Sequence, residues 1–289
     1  MKQLILTILF LFVHCLINAQ VINGTIYSES EDFPIPYTKI GVQGENIGVV
    51  TNENGHFSID LTNANPAGKI IIEVAGHDIF LEDIKDFVQQ NNREIFLTHQ
   101  AIELQELVIT PRVLIDKTWG VKTKTKSVLF VVNPDDGQGI SNTETAFRFN
   151  TKKPAKINKI NLNVANINTD QPVILRYSIY NEKDGFPHKN ILEEEITEEL
   201  TADKIIDGTF ALDVSDYNIW VQGKFFVAIH FLNKFTGEVQ ISASLLRTGY
   251  VREFYGDWEK VIIAAPAINI EVKVDKNGKS LDNGEEDSE

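Results

Sequence analysis

The segment from Arg247 to Trp258 combines residue types that often recognise a flat, polar ligand. Tyr250, Tyr255 and Trp258 supply aromatic faces, and Arg252 supplies a charged donor beside them. Binding surfaces for sugars or partner proteins often use such rings. We therefore predict a candidate ligand surface at Tyr250, Arg252, Tyr255 and Trp258. The alternative is that Tyr255 and Trp258 cap the hydrophobic core, since large aromatic side chains are mostly buried.

Catalytic motifs are missing from the sequence. A His-x-x-Glu zinc motif is absent, since no histidine has Glu three residues later and His99 precedes Glu103 by four positions. The Gly-x-Ser-x-Gly motif of serine hydrolases is also absent. Five of the six histidines lie after His14 and are scattered singly, which is more typical of surface or core residues than of metal ligands: His56, His77, His99, His188 and His230. We predict that the chain is not an enzyme and has no catalytic or metal-binding residues.

Two acidic features leave alternatives open. Asp135-Asp136-Gly137 is the closest local cluster of calcium-type ligands, although this order is equally typical of a plain turn. Calcium binding at this cluster therefore stays an open alternative, and we expect no other cofactor. Two carboxylates on separate strands leave no spacing signal, so a glycan- or peptide-directed hydrolase remains the alternative function. The acidic runs Glu193-Glu194-Glu195 and Glu198-Glu199 are more typical of solvated faces.

The charge of the chain excludes one large class of partner. The 289 residues include 27 Lys and Arg and 41 Asp and Glu, which gives a formal net charge of −14 at pH 7. Proteins that track a phosphate backbone need an excess of basic residues over the contact surface. We therefore exclude nucleic acid as a partner.

The first 19 residues have the order of a secretory signal. Lys2 precedes a mainly apolar run from Leu4 to Ile17, and small residues follow at the predicted cleavage site between Ala19 and Gln20. The run is too short to span a membrane, which takes about 20 residues. Cleavage would remove Cys15, the only cysteine, so the mature chain would contain neither disulfides nor cysteine nucleophiles. We predict an exported protein without a transmembrane helix after signal removal.

Most of the remaining chain has the period-two apolar pattern of β-strands. In the first part, Ile70, Ile72 and Val74 are one example, and Asn54-Gly55 suits a tight hairpin turn. Short strands at this spacing are typical of a sandwich. Pro111 marks a break, after which a second set of alternating strands begins. In that set, Phe225 to Leu232 is apolar on both faces except at His230, as in a central strand.

The region from Val21 to Arg112 resembles the carboxypeptidase regulatory-like domain, a transthyretin-like β-sandwich. The matching segments are Gly24-Thr25-Ile26, Pro34 to Thr38, Thr51 to Phe57, Ala75-Gly76-His77 and Leu104 to Thr110. The remainder is similar to the C-terminal jelly-roll-like sandwich of a group of secreted proteins, through Asp184 to Leu192, Phe210 to Ser215 and Ile219 to Ile229. The resemblance implies an exported protein and no particular chemistry.

These observations predict an all-β chain: an N-terminal transthyretin-like β-sandwich followed by a larger antiparallel jelly-roll-like β-sandwich. The expected boundaries are 1–19 for the signal peptide, 20–112 for the regulatory-like sandwich, 113–126 for a linker or edge strand, 127–274 for the second sandwich and 275–289 for an acidic disordered tail. The predicted function is that of a non-enzymatic structural, adhesion or ligand-binding protein in the periplasm, on the outer-membrane surface or outside the cell. Its expected partner is an unknown envelope protein or a glycan.

Overall fold

The computed structural model describes residues 21–30, 33–100, 112–132 and 143–281. Nearly all regular structure in these ranges is β-strand, which confirms the all-β prediction. The helical pieces are one α-turn, α1 (Ile84–Phe87), and two 3-10 turns, Ala202–Lys204 and Ser215–Tyr217. No helix in the described ranges has the length and apolar character needed to cross a membrane. The predicted cleavage site at Ala19 and Gln20 and the Asp135-Asp136-Gly137 cluster lie outside these ranges.

The first module is a sandwich of two sheets. Its strands are β1 (Val21–Ser28), β2 (Lys39–Val42), β3 (Gly48–Val50), β4 (His56–Asp60), β5 (Lys69–Ile72), β6 (Phe80–Asp83) and β7 (Arg93–Leu97). One sheet has the order β4-β1-β7 and the other β3-β2-β5-β6. Strands β3 and β4 therefore belong to different sheets, and the Asn54-Gly55 turn joins the two sheets instead of closing a two-stranded hairpin.

Side-chain alternation explains why the second of these sheets has two different faces. Ile40 and Ile70 point into the core of the module and are fully buried. Lys39, Gly41 and Ile71 alternate with them and so occupy the opposite face. That opposite face packs against the second module, and Ile71 contacts aromatic rings there.

The second module is larger and mainly antiparallel. Its strands are β8 (Leu114–Gly120), β9 (Leu129–Val132), β10 (Thr143–Thr169), β11 (Val173–Lys183), β12 (Phe186–Asn190), β13 (Ile196–Leu200), β14 (Ile205–Ile206), β15 (Thr209–Asp213), β16 (Trp220–Phe231), β17 (Gly237–Leu245), β18 (Gly249–Glu253), β19 (Glu259–Val261), β20 (Ala264–Pro266) and β21 (Ile268–Asp275). The first half of β10 pairs with β16 and β18, and its second half pairs with β21, β15 and β17. The register shifts between Thr151 and Ala155, around Pro154, where a strand can bend.

Two boundary segments belong to the fold of the second module: the segment expected as a linker or edge strand, and the start of the expected tail. Within 113–126, β8 pairs along β21 and forms an edge strand of the second module. The tail expected to be disordered from residue 275 instead continues the fold to residue 281. Asp275 is 7% exposed, Lys276 N donates to Val113 O at 2.8 Å, and Leu281 N donates to Lys152 O at 2.9 Å. These backbone hydrogen bonds hold a segment that has little apolar surface, which the hydrophobic pattern could not indicate.

Candidate functional site

A row of ionisable side chains crosses the second-module sheet where it faces the first module. The strand registers pair Arg176 with His230, His230 with Glu144, and Glu144 with Arg252. Glu144 and His230 are each 2% exposed, and the Arg252 side chain is 9% exposed. Burial of charged groups is costly unless each has a partner. The row therefore needs partners, and the first module supplies one of them.

Glu144 is the centre of the row. Arg252 Nε donates to its Oε2 at 2.8 Å, and the Tyr180 hydroxyl donates to its Oε1 at 2.6 Å. Lys39 of the first module places Nζ 3.5 Å from the same Oε2. Burial alone would raise the pKa of Glu144, but Arg252 and Lys39 hold it well below its ordinary value. Glu144 is therefore ionised at neutral pH.

Lys39 crosses from the first module into the second. Its Nζ donates to Phe254 O at 3.1 Å and lies 4.3 Å from the centre of the Tyr255 ring. Burial, with the nearby Arg252 cation, lowers the pKa of Lys39 to about 8. Lys39 thus remains mainly cationic near neutral pH and pairs with Glu144 across the boundary between the modules.

Two aromatic rings of the second module lie against glycines of the first. A Cβ on Gly48 would lie 2.6 Å from Phe254 Cδ1, and a Cβ on Gly41 would lie 2.9 Å from Tyr255 Cδ2. The absence of side chains at these glycines lets the rings approach the strand backbone. The Tyr255 hydroxyl also donates to Lys39 O at 2.9 Å. The two modules are therefore held in contact by packing as well as by charge.

A second ion pair lies at the Arg176 end of the row and also binds groups of the first module. Arg176 Nε lies 2.6 Å from Glu195 Oε2, and Arg176 Nη2 donates to Tyr37 O of the first module at 2.5 Å. Glu195 Oε1 accepts a hydrogen bond from Ala75 N of the first module at 2.8 Å. Both charged partners thus also bind backbone groups across the boundary.

A cavity of about 90 Å³ lies between the two ion-pair groups. Both modules line it, and it has room for several water molecules or one small organic molecule. Its charged lining residues are Lys39, Arg176 and Lys189, with Glu73, Glu144 and Glu195. Positive and negative side chains are equal in number, so the cavity suits a neutral or zwitterionic polar molecule better than a highly charged one.

His230 presents an unpaired polar atom at this cavity. Its Nε2 is buried and has no hydrogen-bond partner among the described residues. Burial, followed by the Lys39 cation, lowers the pKa of His230 to about 3, so its ring is neutral. Buried polar atoms in native proteins are almost always bonded to protein, to water or to a ligand. His230 is therefore the polar group of the row that remains available to a bound molecule.

The residues of the predicted ligand surface lie mostly in the protein interior. Tyr250 and Tyr255 are 2% and 7% exposed, and Arg252 is paired with Glu144. Trp258 is partly buried and meets the Tyr180 ring edge-on, with ring centres 5.8 Å apart. A stacking platform must keep one ring face open to solvent, which Tyr250 and Tyr255 do not. The alternative stated for this segment named Tyr255 and Trp258; Tyr255 packs in the interior, and Trp258 is partly buried.

The sequence analysis missed the residues that the structure brings together. Lys39, Glu144 and Arg176 were not selected, because partners on separate strands leave no spacing signal. His230 had a signal, since it is the one polar residue in the apolar run from Phe225 to Leu232. A polar residue inside a strand that is covered on both faces indicates either a hydrogen-bonded core residue or a binding group.

Three carboxylates, those of Glu73, Glu144 and Glu195, line the cavity, and Glu144 and Glu195 are each paired with a base. The two most buried acidic residues are Glu144 and Asp275. Glu144 lies at the start of β10, whereas Asp275 follows Val274, which pairs with Ala155. Eleven strand residues separate these positions on β10, on the order of 30 Å, whereas glycosidase carboxylates lie roughly 5 to 10 Å apart. No group of three or more His, Cys, Asp or Glu side chains in the described ranges could hold a metal ion.

Comparison with known proteins bears on the first module alone. Residues 22–109 match the family model of the CarboxypepD_reg-like domain, the region that contains β1 to β7. No curated protein matches the chain. A solved structure described as "Structure of infectious bursal disease virus Gx strain" shares 10% identity at a TM-score of 0.20, over 90% of this chain and 57% of the viral chain. This chain thus spans little more than half the length of the viral one, and so low a TM-score carries no argument. In its first module, the chain is similar to the CarboxypepD_reg-like domain.

Proposed function

We propose that this chain is an exported, non-enzymatic envelope or surface protein that binds a small polar ligand in the cavity between its two modules. The observation that carries the proposal is a cavity lined by both modules, at which buried His230 Nε2 has no partner among the described residues. A ligand there would contact the first and second modules at once, so binding would also stabilise their contact.

The lining of the cavity limits the class of ligand. Three bases and three acids line it, and the Lys39–Glu144 and Arg176–Glu195 pairs already neutralise four of these charges. A strongly charged ligand would have to break one of these pairs. The favoured ligand is a sugar or the end of a peptide, which offers both donors and acceptors. A glycan or an envelope protein could present either group.

The charge state of Glu144 excludes it as the proton donor of a two-carboxylate hydrolase. A hydrolase that uses two carboxylates needs one of them protonated near neutral pH, which requires a raised pKa. The pKa of Glu144 is lowered instead, because Arg252 and Lys39 stabilise the ionised form. Glu144 is therefore suited to holding the modules together and unsuited to donating a proton.

A thermal-shift experiment tests the binding site. The purified chain is melted alone and with single amino acids, dipeptides and monosaccharides. We expect at least one of these probes to raise the melting temperature, since a ligand that binds only the folded state stabilises it. Ser178→Leu, which fills the cavity, should abolish the shift, and Ser58→Leu, on the exposed face of β4, should retain it. The proposal fails if no probe shifts the wild type or if Ser178→Leu retains the whole shift.

Cell fractionation tests the export. The tagged full-length chain, produced in a Gram-negative host, should appear in the envelope or medium as a processed form that begins at Gln20. An unprocessed chain that stays in the cytoplasm would contradict this part of the proposal.

A further inference from the structure

Four large aliphatic side chains are exposed together on two turns of the second module. Leu245 ends β17 and Leu246 follows it before β18; they are 59% and 94% exposed. Ile262 and Ile263 lie between β19 and β20 and are 70% and 69% exposed. Leu246 N donates to Ile263 O at 3.1 Å, so the two turns are neighbours. We call these four residues the aliphatic tip.

Leu246 has an unusual backbone conformation for a leucine. Its φ is 60°, in the left-handed region that favours glycine and asparagine. Its side chain is almost fully exposed and so contributes little to the packing of the fold. A residue that is unfavourable for its own turn and does not pack is best explained by a contact made outside the folded chain.

The size of the aliphatic tip argues against a stable contact between two protein surfaces. Its four side chains expose on the order of 500 Å², whereas a standard protein interface buries about 800 Å² on each partner. A lipid bilayer can be bound by a few aliphatic side chains when nearby cations add attraction to anionic headgroups. The hydrogen bond from Leu246 N and the ladder pairing of Leu245 with Ala264 also occupy backbone groups, as an apolar environment requires.

The charge around the aliphatic tip is opposite in sign to that of the whole chain. Three exposed bases lie near the tip: Arg247, Lys260 and Lys126, the last beside Thr125, whose carbonyl accepts a hydrogen bond from Ser242 Oγ at 2.8 Å, while Glu259 is the acidic residue nearest in sequence to the two turns. Arg247 directly follows Leu246, and Lys260 precedes Ile262 by two residues with its Nζ 4.6 Å from the centre of the Phe186 ring; both residues are exposed. In a chain of net charge −14, this local excess of base is complementary to an anionic surface.

We infer that the aliphatic tip inserts into the headgroup–acyl boundary of a membrane that contains anionic lipids, with Arg247 and Lys260 facing lipid phosphates. The inference is independent of the cavity ligand, because the tip shares no residue with the cavity lining. Peripheral insertion of this kind would hold the protein against a bilayer without any membrane-spanning segment.

Vesicle co-sedimentation tests the inference. The chain from Gln20 onward is mixed with vesicles of phosphatidylethanolamine and phosphatidylglycerol, or with vesicles of phosphatidylcholine alone. We expect binding to the anionic vesicles, and we expect the double variant Leu246→Asn and Ile263→Ser to lower the partition coefficient about tenfold or more. Arg247→Gln should weaken binding to the anionic vesicles and leave binding to the phosphatidylcholine vesicles unchanged, since it removes a positive charge and no residue of the aliphatic tip.

Ile206→Ser is the matched control, since Ile206 is 67% exposed and lies outside the tip. It should leave vesicle binding unchanged. The tip variant should keep the wild-type melting temperature or raise it, because asparagine tolerates the backbone conformation of Leu246. Absence of vesicle binding, or equal loss in the control, would overturn the inference. So would a wild-type dimer that the tip variant converts to monomer, which would assign the tip to contact between copies.

Discussion

At the scale of single residues, Glu144 determines whether the charges at the module boundary are tolerated. Arg252 and Tyr180 of the second module and Lys39 of the first all lie against its carboxylate. Removing the carboxylate leaves two buried cations without their anion, whereas removing Lys39 leaves Glu144 still bonded to Arg252. The two sides of this cross-module pair should therefore respond very differently to substitution.

We predict that Glu144→Gln lowers the free energy of unfolding by about 3 to 5 kcal/mol, the range for an uncompensated buried charge. Lys39→Met should change it by about 1 kcal/mol or less, since it removes a desolvated cation and keeps the volume. Urea unfolding followed by circular dichroism measures both. Lys69→Met is the control, because Lys69 pairs with Asp83 at 3.0 Å while half exposed and should change stability by less than about 0.5 kcal/mol. Equal effects at Glu144 and Lys39 would contradict this assignment.

His230 should make the protein sensitive to mild acid. Its folded pKa is about 3, below the ordinary value of 6.5, so the unfolded chain binds a proton first as the pH falls. Stability is therefore fully present above pH 6.5 and is lost toward pH 3. Between pH 7 and pH 5, above the range where carboxylates titrate, we expect a loss of about 2 kcal/mol from this residue.

Comparing the pH dependence of unfolding in His230→Gln and in the wild type measures this loss. The His230 variant should have a flatter profile between pH 7 and pH 5. His188→Gln, at an exposed histidine, should retain the wild-type slope. If the His230 variant kept that slope as well, the loss in acid would belong to another group.

At the scale of elements, β8 shows that the segment expected as a linker or edge strand forms an edge strand. It covers the edge of β21, with seven residue pairs from Asn269–Gly120 to Asp275–Leu114. An uncovered strand edge offers unpaired backbone groups that promote aggregation. The segment before residue 127 is therefore part of the folded second module.

We predict that a second-module fragment that begins at Arg112 stays soluble, whereas one that begins at Ser127 aggregates. Both fragments lack the first module, so they differ mainly in the cover of β21. Size-exclusion chromatography and thermal melting distinguish them. Equal solubility of the two fragments would mean that β8 is dispensable.

At the scale of the whole molecule, each module has its own core, yet the pairs at their boundary couple them. The first-module core is a separate cluster that includes Ile26, Ile40, Ile70 and Phe87, all fully buried. Lys39, Tyr37 and Ala75 of the same module bind groups of the second module. The modules should therefore be able to fold separately but melt together.

We predict that the fragment Gln20 to Arg112 unfolds cooperatively, while the intact chain melts in one calorimetric transition. Glu144→Gln should split that transition into two, because it removes the anion that both modules share. A first-module fragment without a cooperative transition, or a single transition in the variant, would show that the chain is one fused unit.

The sequence determined the class of the fold and the identity of the first module, because both depend on local patterns. Period-two alternation indicated strands such as β5. The resemblance over Val21 to Arg112 agrees with the family match to residues 22–109. The alternating pattern and the family motifs consist of residues that are close together in the sequence, so they can be recognised without the tertiary structure.

Only the tertiary structure decided where the aromatic rings, charges and cavity lie. The residue type of Tyr255 is the same whether its ring faces solvent or the glycines of β2 and β3, so the sequence does not indicate its burial. Packing of the two modules against each other buries the ring. Lys39 and Glu144 are on distant strands, so nothing in the sequence pairs them. Burial and long-range pairing depend on how whole sheets pack, and a linear pattern carries no information about which outer faces meet.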